Sequence, residues 1–278
     1  MDAVTKPKLK AKDYQSDIKP VWCRGCGAYS VIASITRALA ELQLPREEVA
    51  FVSGIGCSSR IPAYASVYGF HGVHGRALPL ATGLKIARPE LTVLAAGGDG
   101  DGFSIGGNHF MHACRRNADI TYIVMDNGVY GMTKGQASPT AAPDWTGSVL
   151  TPDGPGVPAF RPLEIALAAG ASFVARSAAN DPAQMKEQIV AAIRHPGFAL
   201  IHVLCPCVTY RPEQQDEFKA RAHADWQPTG DRGEAFNRAL VDDGYTTGML
   251  YIAPRPVYAA HPAAPATLDE IAAEFTVG

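Results

Sequence analysis

Short apolar runs without polar alternation recur along this sequence, each separated from the next by a stretch with helical periodicity. Val49-Ala-Phe-Val-Ser, Leu91-Thr-Val-Leu-Ala-Ala, Ile120-Thr-Tyr-Ile-Val-Met, Ser172 to Arg176 and Phe198-Ala-Leu-Ile-His-Val-Leu read as strands. A strand that is apolar on both faces belongs in a parallel sheet covered by helices on both sides. The helices read between them are Ala28 onward, with Val31, Ile32, Ile35, Leu39 and Leu42 in one stripe; Ala77–Ala87, stopped before Pro89; Ser104 to Arg116; Leu163–Ala169; and a helix capped by Asp181-Pro182 that ends near Arg194. The expected fold class is therefore α/β, a doubly wound and mostly parallel sheet. Residues 1–21 read as an extended N-terminal arm, 22–212 as the domain, and 213–278 as a C-terminal tail that packs on a partner. The Gly/Pro-rich stretch of about 128–160 has little periodicity, and loops of that length in compact domains are usually functional.

Composition removes several function classes. The 25 Lys and Arg against 27 Asp and Glu give a net charge of −2, which argues against a basic nucleic-acid surface. No apolar run approaches the roughly 20 residues of a membrane helix. The start, MDAVTKPKLKAKDYQ, lacks the apolar core of an export signal, so a cytoplasmic location is expected. The cysteines at 23, 26, 57, 114, 205 and 207 are then expected as reduced thiols, which in that setting bind metal or do chemistry more often than they form disulfides.

In parallel sheets ligands sit beyond the carboxyl ends of the strands. The segments there are Gly54-Ile-Gly-Cys57, Gly98-Asp-Gly100, Asn127-Gly-Val129 and Cys205-Pro-Cys207. The dinucleotide fingerprint G-x-G-x-x-G fails, because Phe103 or Ile105 stands where the third glycine would be, and no P-loop occurs. What remains is Asp99 in a glycine turn and Asn127 after the next strand, two hard oxygen donors suited to Mg²⁺ held with phosphate oxygens.

Cys23-x-x-Cys26, Cys57 and one of Cys205 and Cys207 could supply four thiolates, to zinc or to an iron–sulfur cluster. Their wide spacing across three loops favours a cluster and leaves zinc open. Strand alternation would put Cys205 and Cys207 on one face only if the strand ran through Pro206. Cys114, among apolar helix neighbours, reads as a core residue. His71 and His74 flank a glycine-rich turn, His109 and His112 sit three apart on a helix, and Arg60 and Lys134 lie in crevice loops. No H-E-x-x-H or G-x-S-x-G occurs.

The Asp99/Asn127 arrangement resembles the thiamine-diphosphate motif. The longer text GGDGDGFSIGGNHFMHACRRNADITYIVMDNGVYGMTKGQASPT, with WCRGCG, GIGCSSR, HGVHGRALPLATGLK and CPCVTY, is similar to the β subunits of 2-oxoacid:ferredoxin oxidoreductases. The resemblance covers most of residues 20–212 and implies a sheet of the thiamine-diphosphate-binding type. It implies Mg²⁺ on the side chains of Asp99 and Asn127 and the Val129 carbonyl, and a [4Fe–4S] cluster on Cys23, Cys26, Cys57 and Cys207. Cys207 is taken over Cys205 because it matches the family's Cys-Val-Thr. Cofactor-lining positions would be Ile55, Gly56, Cys57, Ser58, His74, Gly75, Gly98, Asp99, Gly100, Asp101, Asn127, Val129, Tyr130, Gly131, Met132 and Thr133.

By the same resemblance the reaction interconverts a 2-oxoacid plus coenzyme A with acyl-CoA plus CO₂, exchanging electrons with ferredoxin in the oxidative or reductive direction. Arg60, Lys134 and His74 are the expected catalytic side chains. Lys134 would meet the second carboxylate of 2-oxoglutarate, the substrate expected on grounds of charge. Arg60 would hold the first carboxylate or stabilise coenzyme A. The pyrimidine-binding domain, with its activating carboxylate, would lie in an α subunit, with an (αβ)₂ assembly expected. A non-oxidative thiamine-diphosphate carboligase or decarboxylase half, and a zinc-stapled assembly subunit, are the alternatives.

Overall fold

The computed structural model describes residues 8–259 and residue 267. In chain order its strands are β1 (Val49–Ser53), β2 (Tyr68–His71), β3 (Thr92–Gly98), β4 (Thr121–Asp126), β5 (Val129–Tyr130), β6 (Gln136–Ala137), β7 (Phe173–Ala178), β8 (Ala199–Leu204), β9 (His223–Trp226) and β10 (Thr246–Ile252). The helices are α1 (Ala28–Leu42), α2 (Ile61–Tyr64), α3 (Ala77–Ala87), α4 (Gly107–Arg116), α5 (Pro162–Ala169), α6 (Pro182–Arg194), α7 (Gln214–Arg221) and α8 (Arg232–Val241). Eight strands form one sheet in the order β2-β1-β3-β4-β8-β7-β10-β9, parallel throughout except where β10 runs against β7.

The unalternating strands are apolar on both faces because both faces are covered. In β3, Leu94 and Ala96 pack into the core under α1 and α6, while Val93 and Ala95 pack into the core under α3, α4 and α5. The same division holds in β4, with Ile123 and Met125 on one side and Tyr122 and Val124 on the other. Cys114 is fully buried in the second of these cores.

Three sequence expectations are corrected. Ser104 does not open a helix: a π-helical turn, Gly100–Ile105, comes first and α4 begins at Gly107. The N-terminal arm is not extended throughout: Ala11–Tyr14 form a 3₁₀ turn, and Tyr14 is buried with its hydroxyl donating to the Leu44 carbonyl at 2.6 Å. Residues 214–252, expected as part of a tail, form α7, α8, β9 and β10 and complete the sheet. Their polar composition hid them: α7 buries only Gln214 and Phe218, and α8 only Ala235 and Ala239. The rest of the expected tail, 260–266 and 268–278, lies outside the described residues. No helix among the described residues is long and apolar enough to cross a membrane.

Candidate active site

The carboxyl ends of β1, β3, β4 and β8 lie side by side, and the loops leaving them enclose a cavity of about 380 Å³ together with the loop before α1. Its walls are Trp22, Cys23 and Cys26; Ile55 to Ser58; His74; Gly98 to Asp101; Asn127; Val129 to Thr133; and Cys205, Cys207 and Thr209. The parallel topology thus gathers four segments that are far apart in sequence.

One wall is rich in hard oxygen atoms. Asp99 is buried, and its Oδ2 accepts hydrogen bonds from the hydroxyls of Ser138 and, at 2.9 Å, Thr140. Burial, and then the neighbouring Asp126 carboxylate, push its pKa up to about 8. A buried carboxyl in that state calls for a positive charge. Burial raises Asp126 as well, but a hydrogen bond with His202 (2.7 Å) and the His202 charge outweigh it, and the group ends below the usual carboxylate range. Asn127 Oδ1 accepts from the Val129 amide at 3.2 Å, which turns the Asn127 side chain toward the segment carrying the Val129 carbonyl.

Asp101 lines the cavity, and its side chain also braces the loops around it. Its Oδ1 accepts from the Ile55 amide (2.9 Å), the Gly75 amide (2.7 Å) and His74 Nδ1 (2.8 Å), fastening two loops and a histidine to the turn after β3. Gly75 is therefore held through its backbone. A methyl on Gly54 would overlap this carboxylate. Gly54→Ala is expected to lower stability by about 1–3 kcal/mol, the usual range for overpacking, read as a lower denaturant midpoint with an unchanged slope.

Another part of the lining carries the thiols. Cys23, Cys26, Cys57 and Cys207 all line the cavity. Burial raises Cys26 to about 11 and Cys57 in the same direction, and the other thiols of the set raise each of them further. Trp22 Nε1 donates to the Cys57 carbonyl at 2.7 Å, and the Thr209 hydroxyl donates to Cys23 Sγ at 3.1 Å. Cys205 continues the alternation of β8, with Ile201 and Val203, into the core beneath α1, and it is buried. Pro206 ends the strand, and Cys207 emerges partly exposed. Among the described residues no group of three or more His, Cys, Asp or Glu side chains is disposed around a single metal ion.

Sequence reading missed Gln214. Its side-chain carbonyl accepts from the Cys207 amide (3.2 Å), and its amide donates to the Asn127 carbonyl (2.7 Å), so one buried residue of α7 ties the thiol wall to the oxygen wall. No local signal marks it. Three expected residues, Gly75, Arg60 and Lys134, do not line the cavity. Arg60 donates from Nε to the Tyr64 hydroxyl at 2.9 Å and adds positive charge near Cys57. Lys134 is exposed at the turn between β5 and β6, one residue beyond Thr133, with φ at +84°, a conformation rare for a residue with a side chain.

Residues 54–203, more than half of the chain, match the C-terminal thiamine-pyrophosphate-binding domain of thiamine pyrophosphate enzymes. The chain is 44% identical over 206 residues to the 2-oxoglutarate synthase subunit KorB of Archaeoglobus fulgidus, covering 73% of this chain and 76% of that relative. It belongs to the β subunits of the 2-oxoacid:ferredoxin oxidoreductases. This β subunit is also 45% identical over 217 residues to the 2-oxoglutarate oxidoreductase subunit KorB of Mycobacterium tuberculosis, which covers 77% of this chain but only 57% of that relative. The β subunit thus spans little more than half the length of the mycobacterial protein. A solved 2-oxoglutarate:ferredoxin oxidoreductase from Magnetococcus marinus, with 2-oxoglutarate, coenzyme A and succinyl-CoA bound, superimposes with a TM-score of 0.88 at 40% identity. That match covers 92% of this chain and 89% of the other. The fold expected from the sequence, a doubly wound sheet of the thiamine-diphosphate type, is the one found.

Proposed function

We propose that this β subunit binds thiamine diphosphate with Mg²⁺ and one [4Fe–4S] cluster in the cavity at the strand ends. Together with an α subunit it would interconvert a 2-oxoacid plus coenzyme A with acyl-CoA plus CO₂. The observation that carries the reading is that a buried carboxyl with a raised pKa and four thiols line the same cavity. Asp99, Asn127 and the Val129 carbonyl are the metal ligands in this reading, a hard oxygen set that leaves the rest of an octahedron to diphosphate and water. Cys23, Cys26, Cys57 and Cys207 are the cluster ligands. A four-iron cluster takes one thiolate per iron, so it needs sulfurs spread around a cavity rather than converging on one point. When bound, thiamine diphosphate supplies the carbon chemistry that releases CO₂, and the cluster carries electrons singly between it and ferredoxin.

The chain's own residues bind, orient and shield. Ser138 and Thr140 hold the Asp99 carboxylate in place, Gln214 fixes the distance between the walls, and Trp22 with Tyr64 and Tyr29 packs edge-on behind the Cys57 loop. An α subunit is supported by the surface beside the cavity. Tyr68, Phe70, Val73 and Ile105 are all more than half exposed there, on and after the edge strand β2 and at the end of the π-helical turn. Apolar side chains grouped in this way mark a protein–protein contact more often than a free surface.

The substrate reading favours 2-oxoglutarate, whose second carboxylate needs a cation. Lys134 stands at the tip of the hairpin whose inner residues line the cavity, and the charge-assisted hydrogen bond it would make is worth about 1.5–3 kcal/mol. Lys134→Ala in the αβ complex is expected to lower kcat/KM for 2-oxoglutarate roughly tenfold to a hundredfold while leaving pyruvate turnover nearly unchanged. Equal losses on both substrates would assign Lys134 to the hairpin alone, and a wild-type preference for pyruvate would remove the substrate assignment. Brown colour, iron and thiamine diphosphate in anaerobically purified αβ complex test the wider proposal; zinc without iron would overturn the cluster.

A further inference from the structure

We propose that Asp101 is a positioning residue. It holds His74 in a single tautomer, so that Nε2 serves as a hydrogen-bond acceptor for an O–H or N–H donor of what occupies the cavity. The inference rests on the reading above that the cavity holds thiamine diphosphate and a 2-oxoacid. It starts from one oxygen atom. Asp101 Oδ1 receives the backbone amides of Ile55 and Gly75, at 2.9 and 2.7 Å, and His74 Nδ1 at 2.8 Å.

Two backbone donors already point at Oδ1, and a backbone N–H cannot reverse its role, so this oxygen is an acceptor. The ring nitrogen that faces it must therefore carry the proton. A neutral imidazole protonated on Nδ1 has its lone pair on Nε2, at the far side of the ring. His74 lines the cavity, and its side chain is 39% exposed against 1% for Asp101. The pair thus runs from a buried carboxylate, through an imidazole, to the cavity, which is the arrangement in which a carboxylate fixes the orientation and tautomer of a histidine without touching substrate.

The surroundings hold Asp101 in place. Gly54 lies against its carboxylate with no room for a side chain, and the π-helical turn Gly100–Ile105 that carries it is packed in place by Phe103. Tyr130 lies beside the imidazole, with ring centroids 6.4 Å apart and planes inclined at 65°.

The test uses the αβ complex loaded with thiamine diphosphate and Mg²⁺, and compares His74→Gln, His74→Asn, Asp101→Asn and the double variant His74→Gln/Asp101→Asn. A glutamine amide reaches roughly where Nε2 stands, and an asparagine amide roughly where Nδ1 stands. The readouts are kcat, KM for the 2-oxoacid, and thiamine diphosphate affinity by titration of the apo complex. His74→Gln is expected to keep at least tenfold more activity than His74→Asn. Asp101→Asn is expected to lower kcat about tenfold to a hundredfold with KM within about threefold, the range seen when an outer partner of a working histidine is lost. In the His74→Gln background the same change should have less than a twofold further effect, since Asp101 then has no imidazole to orient.

A loss confined to kcat places the donor on the reacting substrate, and a loss confined to cofactor affinity places it on thiamine diphosphate; both carry the coupling. Asp101→Asn losses of equal size with and without His74, or His74→Asn outperforming His74→Gln, would overturn it and leave Asp101 as a brace for the two loops. Failure of the wild-type complex to bind thiamine diphosphate would instead remove the underlying reading, so the two failures are separate.

Discussion

Cys207→Ala, in αβ complex purified without oxygen, is expected to lose nearly all its iron and the broad visible absorbance of a cluster, and electron transfer to ferredoxin with them. Thiamine diphosphate should still bind, because Asp99 and Asn127 are untouched. Cys23→Ala, Cys26→Ala and Cys57→Ala are expected to behave alike, since each thiol would hold one iron. The informative control is Cys205→Ala. Cys205 lies three-hundredths exposed in the core beneath α1, with its amide donating to the Asp126 carbonyl at 2.8 Å. Burial sets its thiol well above the ordinary range. Its loss should lower stability by about 1 kcal/mol, as for a small core truncation, and leave iron content intact. Cluster loss in Cys205→Ala with retention in Cys207→Ala would reverse the assignment.

Asp99→Ala is expected to weaken Mg²⁺-dependent binding of thiamine diphosphate by about 10²–10⁴-fold, the equivalent of about 3–5 kcal/mol for removing one partner of a buried charge pair. Iron content should persist, because no thiol contacts Asp99 in the hydrogen-bonded network that holds it. The same residue gives the binding a pH dependence of definite sign. Asp99 titrates near 8 in the metal-free chain because burial and Asp126 disfavour its charge. Below that pH the carboxyl carries a proton that Mg²⁺ must displace, so affinity falls as pH falls, by up to about tenfold per unit. Above it no proton is released and the affinity levels off. Isothermal titration in buffers of different ionisation enthalpy, between pH 6 and 9, reads the released proton directly. Asp99→Asn should abolish both the release and the slope; a slope that survives in Asp99→Asn would assign the proton elsewhere.

Much of this was legible in the sequence because it depends on local rules. Unalternating strands such as Leu94-Ala-Ala and Ile123-Val-Met are apolar on both sides only where helices cover both faces, so a parallel sheet followed from the strands themselves. Its carboxyl ends then had to collect Cys57, Asp99, Asn127 and Cys207, whichever order the strands took. The charge balance was equally local information, and it argued against a basic nucleic-acid surface without reference to any fold.

What the sequence alone did not determine depended on partners distant along the chain. Asp101 reads as one more acid in a glycine turn, and only the fold brings the Ile55 and Gly75 amides and His74 to the same oxygen. In the sequence Cys207 is preferred to Cys205 only for its Cys-Val-Thr match; in the fold Cys205 continues the alternation of β8 into the core and is buried, while Cys207, beyond Pro206, is partly exposed. Lys134 sits in the loop the sequence pointed to, yet its place at an exposed hairpin tip is set by the pairing of Val129 with Ala137. Residues 214–252 carry too few apolar side chains to announce a sheet strand or a helix. They fold because β7 offers β10 an open edge, and Gln214 becomes a clamp only when α7 lies between the ends of β4 and β8. Periodicity records which face of an element is buried; which atoms then meet across the interior is decided by packing, and no local pattern encodes it.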